Sequence, residues 1–319
     1  MSRNTPPLTG EQADLAGMLD ALMSDVDSAL ADERPADVAA LRARLAGLGV
    51  WTLGVPEALG GGGADGALTA AAFARLGRGW AALAWAAVQA HAAAELLTEH
   101  PELRERIHAG EVAIAVTRGE RVDAAGERPH VIVLDDGGAR LYEPAALEYR
   151  AVRHTGLGGA LTRVIEPRGE GIALTGDVDA AKVRLWLGAA AVAAGIADAA
   201  SEAALDYSAG RRQFGAALTA LPTVRDSLLG SSGAAAVLLR QVLRSADSTP
   251  WQAAAVLDTA CESAIDVAAK ALQSHGGYGY LTEYPAERLL RDAVSLRAAS
   301  DTAGARRAGA SELAGSGKG

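Results

Sequence analysis

From Trp80 to Leu97 the chain is a long apolar run built mostly of alanine and interrupted by Gln89, His91 and Glu95. Small side chains let neighbouring helices approach closely, and three polar groups sit badly in hydrocarbon. The run therefore predicts a buried core helix and no membrane span. The same texture returns over Ala181–Gly210, Leu221–Ala246 and Trp251–Ser274. Half of the residues are hydrophobic but only 4% are aromatic, a balance that favours helices, because alanine and straight-chain residues lose little on entering one.

Around these runs the chain divides into three parts. A helix over Thr9–Leu30 opens on a capping box, with Gln12 three residues after Thr9. Val38, Leu41, Leu45 and Leu48 mark a second helix that stops at Gly49, and further helices cover Gly66–Leu76, Trp80–Thr98 and Pro101–His108. Short β-branched runs follow at 113–117, 131–134, 139–142 and 171–174, separated by Asp-Gly and Gly-Gly turns, and these predict antiparallel strands. A last helix runs from about Pro285, and Gly315–Gly319 reads as a disordered tail. The expected domains are 1–112, helical; 113–180, a small β unit; and 181–319, a helical bundle.

The net charge of −9 comes without a basic stripe, which argues against nucleic acid as a partner. Cys261 stands alone, excluding an internal disulfide and a Cys-based zinc site. The six histidines, at 91, 100, 108, 130, 154 and 275, show no ligand spacing, so no metal is expected. Ser274-His275 lacks the nucleophile elbow of a hydrolase. The polar N-terminus has no signal-peptide pattern, which makes a cytoplasmic location the expectation.

Two segments of the last third carry more information. One is Tyr207-Ser208-Ala209-Gly210-Arg211-Arg212-Gln213-Phe214-Gly215. The other is Gln273-Ser274-His275-Gly276-Gly277-Tyr278-Gly279-Tyr280, continuing through Glu283-Tyr284-Pro285 to Arg291-Asp292. In this order and spacing they resemble the acyl-CoA dehydrogenase family. Leu48-Gly49-Val50, Val55-Pro56-Glu57, Gly60-Gly61 and Leu76-Gly77-Arg78 agree with that family's N-terminal elements. The resemblance covers about 250 residues, all but the β unit. It implies a mostly α fold with an N-terminal helical domain, a reduced central antiparallel β domain and a C-terminal four-helix bundle.

The resemblance also implies FAD at a subunit interface, with Arg211, Phe214, Gln273, Gly276 and Gly277 holding the ADP part of a flavin seated in a neighbouring subunit. The residue types suit this task, since a guanidinium can grip a pyrophosphate through two parallel hydrogen bonds and glycines allow close backbone approach. Dehydrogenation of an acyl-CoA thioester further needs a base for the α proton. The family places a glutamate for this in a Glu-Gly-Thr segment about nine residues after the Arg-Asp pair, where this chain has Ser300-Asp301-Thr302. An alternative family position falls at Leu185. Serine without a basic partner stays protonated, so no catalytic residue is assigned. Asp301 is shorter by a methylene and turned by about 100° on a continuous helix. Thr302 matches the threonine that touches the flavin in the family.

The β unit spans about sixty residues where the family has about twice that, and the Thr-Glu-Pro and Trp-Ile-Thr elements that cradle the flavin ring are not recognisable. Loss of the base alongside retention of the ADP-gripping motif resembles the heteromeric α2β2 acyl-CoA dehydrogenases of actinobacterial steroid side-chain degradation. That resemblance implies a homologous catalytic partner subunit and a steroid side-chain CoA ester as substrate. Two rival readings stay open: a self-sufficient homodimeric flavoenzyme with an unusual base such as Asp301, and a helical scaffold without enzymatic activity.

Overall fold

The computed structural model describes residues 2–24, 35–135, 138–153, 156–213 and 215–316. Five helices come first: α1 (Gly10–Ser24), α2 (Pro35–Gly47), α3 (Gly66–Gly79), α4 (Ala81–Leu96) and α5 (Pro101–His108). The Thr9 capping box forms, Thr9 N donating to Gln12 Oε1 at 3.1 Å, and α1 is described as far as Ser24. Residues 25–30 of the expected first helix lie outside the described residues. Asp65 caps α3 by accepting from Leu68 N at 2.7 Å.

The β unit follows: β1 (Ile114–Thr117), β2 (Arg121–Ala124), β3 (His130–Asp135), β4 (Gly138–Tyr142), β5 (Leu147–Ala151), β6 (Leu161–Pro167) and β7 (Ile172–Leu174). They form two sheets, ordered β1-β3-β4-β7 and β2-β6-β5. The expectation of purely antiparallel strands needs correction, because β1 pairs parallel with β3, Ala115 opposite Val131. Between them the chain crosses to the second sheet as β2, so it re-enters the first in its original direction. Strands β2, β5 and β6 also escape the sequence pattern; Arg121, Asp123, Glu148 and Arg163 give them a polar look, and β5 is half exposed.

The rest is helical: α6 (Val178–Gly210), a two-residue hairpin of β8 (Arg212–Gln213) and β9 (Ala216–Ala217), α7 (Pro222–Val242), α8 (Pro250–His275), a 3₁₀ turn over Gly276–Tyr280, α9 (Ala286–Ala299) and α10 (Thr302–Ser316). Asp177 starts α6, accepting from Ala180 N at 2.9 Å. Two expectations fail at the C-terminus. The last helix is broken into α9 and α10 at Ser300-Asp301, and α10 includes Gly315, with 317–319 outside the described residues.

Helix α6 is the axis of the molecule, packing against α3, α4, α7, α8 and α9. Its small residues permit backbone contact. A Cβ on Gly195 would stand 2.0 Å from Ala74 O, and one on Gly77 2.6 Å from Val192 O. Among the described residues α6 is the one helix long and apolar enough to cross a membrane, but 78% of that window is buried inside the fold, as a core helix requires. The N-terminal segment straps onto its far face, where Asn4 Nδ2 donates to Asp198 and Ser201 at 2.9 and 2.8 Å and Arg78 pairs with Asp198 at 2.7 Å.

The polar residues of α4 are bound into the core. Gln89 donates to Asp123 O at 2.9 Å and accepts from Val116 N at 3.0 Å, joining α4 to both sheets. His91 Nε2 accepts from Gly54 N at 3.2 Å, so Nδ1 carries the proton and donates to Ala87 O at 2.9 Å. Burial pushes this imidazole down to about 4. Because the unfolded ring takes up a proton near pH 6.5 and the folded one does not, this contribution to stability is present above pH 6.5 and lost as pH falls toward 4. Relative to His91→Gln, the wild-type chain is expected to lose about 3 kcal/mol over that interval. Urea unfolding of both proteins across pH 4–7.5 checks this, and parallel pH profiles would refute it.

Candidate functional site

The two C-terminal motifs meet in space through their aromatic rings. Tyr207, in the last turn of α6, stacks on His275 at the end of α8, ring centroids 4.3 Å apart and planes at 27°. Tyr284 stands edge-on to both at 5.5 Å, and Tyr278 lies 6.3 Å from Tyr284. Arg211 caps α6, its N–H donating to Tyr207 O at 2.9 Å, and its guanidinium lies over the Tyr278 ring at 5.1 Å. Arg211 makes no ion pair among the described residues, so its charge is available to an anion.

Gly276 ends α8 at φ +58°, a left-handed conformation that glycine adopts without strain. A Cβ added at Gly276 or Gly277 would meet nothing within 4 Å, and Gln273, Gly276 and Gly277 are exposed. The structure thus gathers Arg211, Gly276 and Gly277 around Tyr278 at one outward-facing corner, with Gln273 one turn back along α8. Phe214, in the hairpin of β8 and β9, lies outside the described residues. These donors fit the pyrophosphate end of a dinucleotide, and the corner is open rather than enclosed.

The expected base position is of opposite character. Ser300 is 2% exposed and its hydroxyl donates back to Leu296 O at 2.8 Å, with Thr302 Oγ1 at 3.2 Å. Asp301 follows at φ +45°, so it turns the chain out of the helix rather than continuing it. The 100° rotation expected for a continuous helix therefore does not apply. Instead Asp301 caps α10, accepting from Gly304 N at 3.1 Å, and its other oxygen lies 3.8 Å from Arg118 Nε in the β1–β2 turn. Left-handed backbone is tolerated by aspartate better than by most residues, and glycine occupies this place in the family's Glu-Gly-Thr segment. Thr302 is buried, donating to Arg297 O at 3.1 Å with Cys261 Sγ at 3.7 Å. Burial pushes the Cys261 thiol up to about 11, so it stays protonated. Leu185 is buried in the face of α6.

Asp292, the end of the second motif, works in the seam between β unit and bundle. It is buried, accepts from Leu157 N at 2.7 Å and pairs with Arg288 at 3.3 Å. Trp80 Nε1 donates to Gly158 O at 2.7 Å, and a Cβ on Gly156 would lie 2.2 Å from Arg291 O. This tight packing leaves a seam cavity of about 170 Å³, bordered by Arg121, Thr162, Ser295 and Ala298. This cavity is below the roughly 300–1,000 Å³ of pockets that enclose small ligands. A larger cavity of about 340 Å³ lies elsewhere, between Phe73, His91 and Arg184. Among the described residues no group of His, Cys, Asp or Glu could hold a metal ion.

Sequence reasoning missed the ring cluster and the Arg118–Asp301 contact. The first had a visible signal, since Tyr207, His275, Tyr278 and Tyr284 all lie within the motifs; the second links residues 183 positions apart and had none.

A family model described as acyl-CoA dehydrogenase, C-terminal domain, matches residues 184–304, and one described as acyl-CoA dehydrogenase, N-terminal domain, matches 11–106. Together they cover about two thirds of the chain. An acyl-CoA dehydrogenase of Bacillus subtilis is 38% identical over 113 residues, 34% of this chain and 30% of that protein. The human mitochondrial short-chain specific acyl-CoA dehydrogenase is 36% identical over 113 residues, 34% of this chain and 27% of that protein. The matched stretch thus spans under a third of either relative's length. Butyryl-CoA dehydrogenase from Megasphaera elsdenii superposes with a TM-score of 0.75 at 20% identity, covering 95% of this chain and 98% of that one. The ChsE4-ChsE5 complex from Mycobacterium tuberculosis gives 0.73 at 22% identity, covering 97% and 98%. At these identities the superpositions show the fold.

Proposed function

The chain belongs to the acyl-CoA dehydrogenase family, whose members bind FAD, and from that premise we propose that it is the base-lacking subunit of a heteromeric FAD-dependent acyl-CoA dehydrogenase. In this reading it completes the FAD site of a homologous catalytic partner. The carrying observation is the contrast between the two ends of the expected site. The corner of Arg211, Gly276 and Gly277 is open, and Arg211 makes no ion pair among the described residues, while position 300 is a buried hydroxyl bonded back to Leu296 O.

FAD, when bound, would supply the acceptor for the β hydride, with the base for the α proton coming from the partner. The residues of this chain would hold and orient it: Arg211 would neutralise the pyrophosphate, Gln273 would offer an amide, and Gly276 and Gly277 would let backbone approach it. The ChsE4-ChsE5 complex, similar in fold, supports a partner that is a second, differently named chain, and the α2β2 arrangement rests on the resemblance of the sequence. A steroid side-chain CoA thioester as substrate rests on the resemblance of the sequence to such heteromeric enzymes. A cytoplasmic location belongs to the same proposal.

The isolated chain is expected to purify without flavin absorption bands, whereas co-expression with a homologous subunit carrying the base should yield a flavin-loaded complex that oxidises acyl-CoA. Stoichiometric flavin in the isolated homo-oligomer would establish the self-sufficient reading instead. A complex that forms but stays colourless and inactive would establish the scaffold.

A further inference from the structure

The ring cluster has an outer end that the cofactor corner does not account for. Tyr207, half-buried, stacks on the buried His275, which is held by its Nδ1 donating to Ala271 O at 2.7 Å. Tyr284 sets its edge against both and against Tyr278. Tyr278 itself is 46% exposed, large and aromatic, on a turn where burial gives no reason for such a residue. The Arg211 guanidinium lies over it, 5.1 Å from the ring centroid.

We infer that Tyr278 is a positioning residue that holds the Arg211 guanidinium over the glycine turn, ready for the FAD pyrophosphate. The inference rests on the interface reading above and names what orders its principal cation. Arginine has a rotamer-rich side chain, and a half-exposed arginine at a helix end loses that freedom when it grips an anion. A ring face beneath the guanidinium restrains it beforehand, by cation–π attraction that leaves the N–H edges free to donate. The ring in turn is braced through Tyr284 by a stack joining the ends of α6 and α8. Arg211 belongs to the first motif and Tyr278 to the second, so the contact also explains why the two function together.

The test uses the co-expressed complex, with flavin retention followed on dilution, and the isolated chain for the geometry. Tyr278→Leu should weaken FAD binding about two- to fivefold, while Tyr278→Phe, which keeps the ring face, should bind as wild type. In the isolated chain, the Arg211 side-chain protons should show ring-current upfield NMR shifts that Tyr278→Leu removes and Tyr278→Phe keeps. A merely structural role for Tyr278 predicts neither the rescue by phenylalanine nor the arginine shifts. If Tyr278→Leu binds FAD as well as or better than wild type while Arg211→Ala binds it poorly, the inference falls and the interface reading stands. If Arg211→Ala retains FAD too, the interface reading falls and takes this inference with it.

Discussion

A carboxylate introduced by Ser300→Glu will destabilise the chain by about 3 kcal/mol or more and will not turn it into a dehydrogenase. The resemblance places the family's glutamate base at this position, so on paper the substitution supplies the group that the proposed function assigns to the partner. In this chain the position is 2% exposed and its hydroxyl fills its bonding needs with Leu296 O and Thr302. Arg297, three residues back on α9, already leans toward Glu262 at 3.9 Å. A longer side chain in a closed space adds overpacking to desolvation. Urea unfolding measures the first effect, and turnover of an acyl-CoA by the isolated variant tests the second. A Ser300→Glu protein of wild-type stability with turnover of its own would show that an active-site cavity opens at this position.

Arg211→Ala should have the largest effect on the cofactor. It removes a charge-assisted contact of about 1.5 to 3 kcal/mol, or roughly ten- to a hundredfold in FAD affinity. The mixed complex should still assemble, lose flavin on dilution and recover activity in excess FAD by mass action. Because Arg211 is half-exposed at the end of α6 and makes no ion pair among the described residues, thermal stability without added FAD should change little. Equilibrium dialysis with FAD and a melting curve separate the two. Undiminished retention in both Arg211→Ala and Gln273→Ala would leave the corner without a role.

The helical parts of this chain were legible because they are made of repeated small apolar residues, with a capping signal read at Thr9; the caps at Asp177 and Thr249 came only with the structure. What stayed hidden was decided by pairing at a distance. Strand β2 reads as a polar turn until Arg121 and Asp123 are paired with β6, and the parallel entry of β1 follows from a crossing between sheets that local pattern does not record. The break at Ser300-Asp301 was hidden for another reason. Ala-Ala-Ser-Asp-Thr-Ala contains neither glycine nor proline, and Asp301, which caps α10, also meets Arg118 from the β unit. The candidate corner was legible as residue types, but its aromatic brace became visible only once α6 and α8 were placed side by side.

Helix α6 also sets a length. Its 33 residues span about 50 Å, with Arg211 at one end and Arg184, beside the 340 Å³ cavity, in the second turn from the other. Since Gly77, Gly188 and Gly195 seat its backbone against α3 and α4 with no room for a methyl group, the helix resists sliding by small increments. A whole-turn step of about 5.4 Å is closed as well, because it would bring Ala191 or Ala199 to the place of Gly195. Whatever docks at the Arg211 end therefore meets a corner at fixed distance from what the N-terminal half presents.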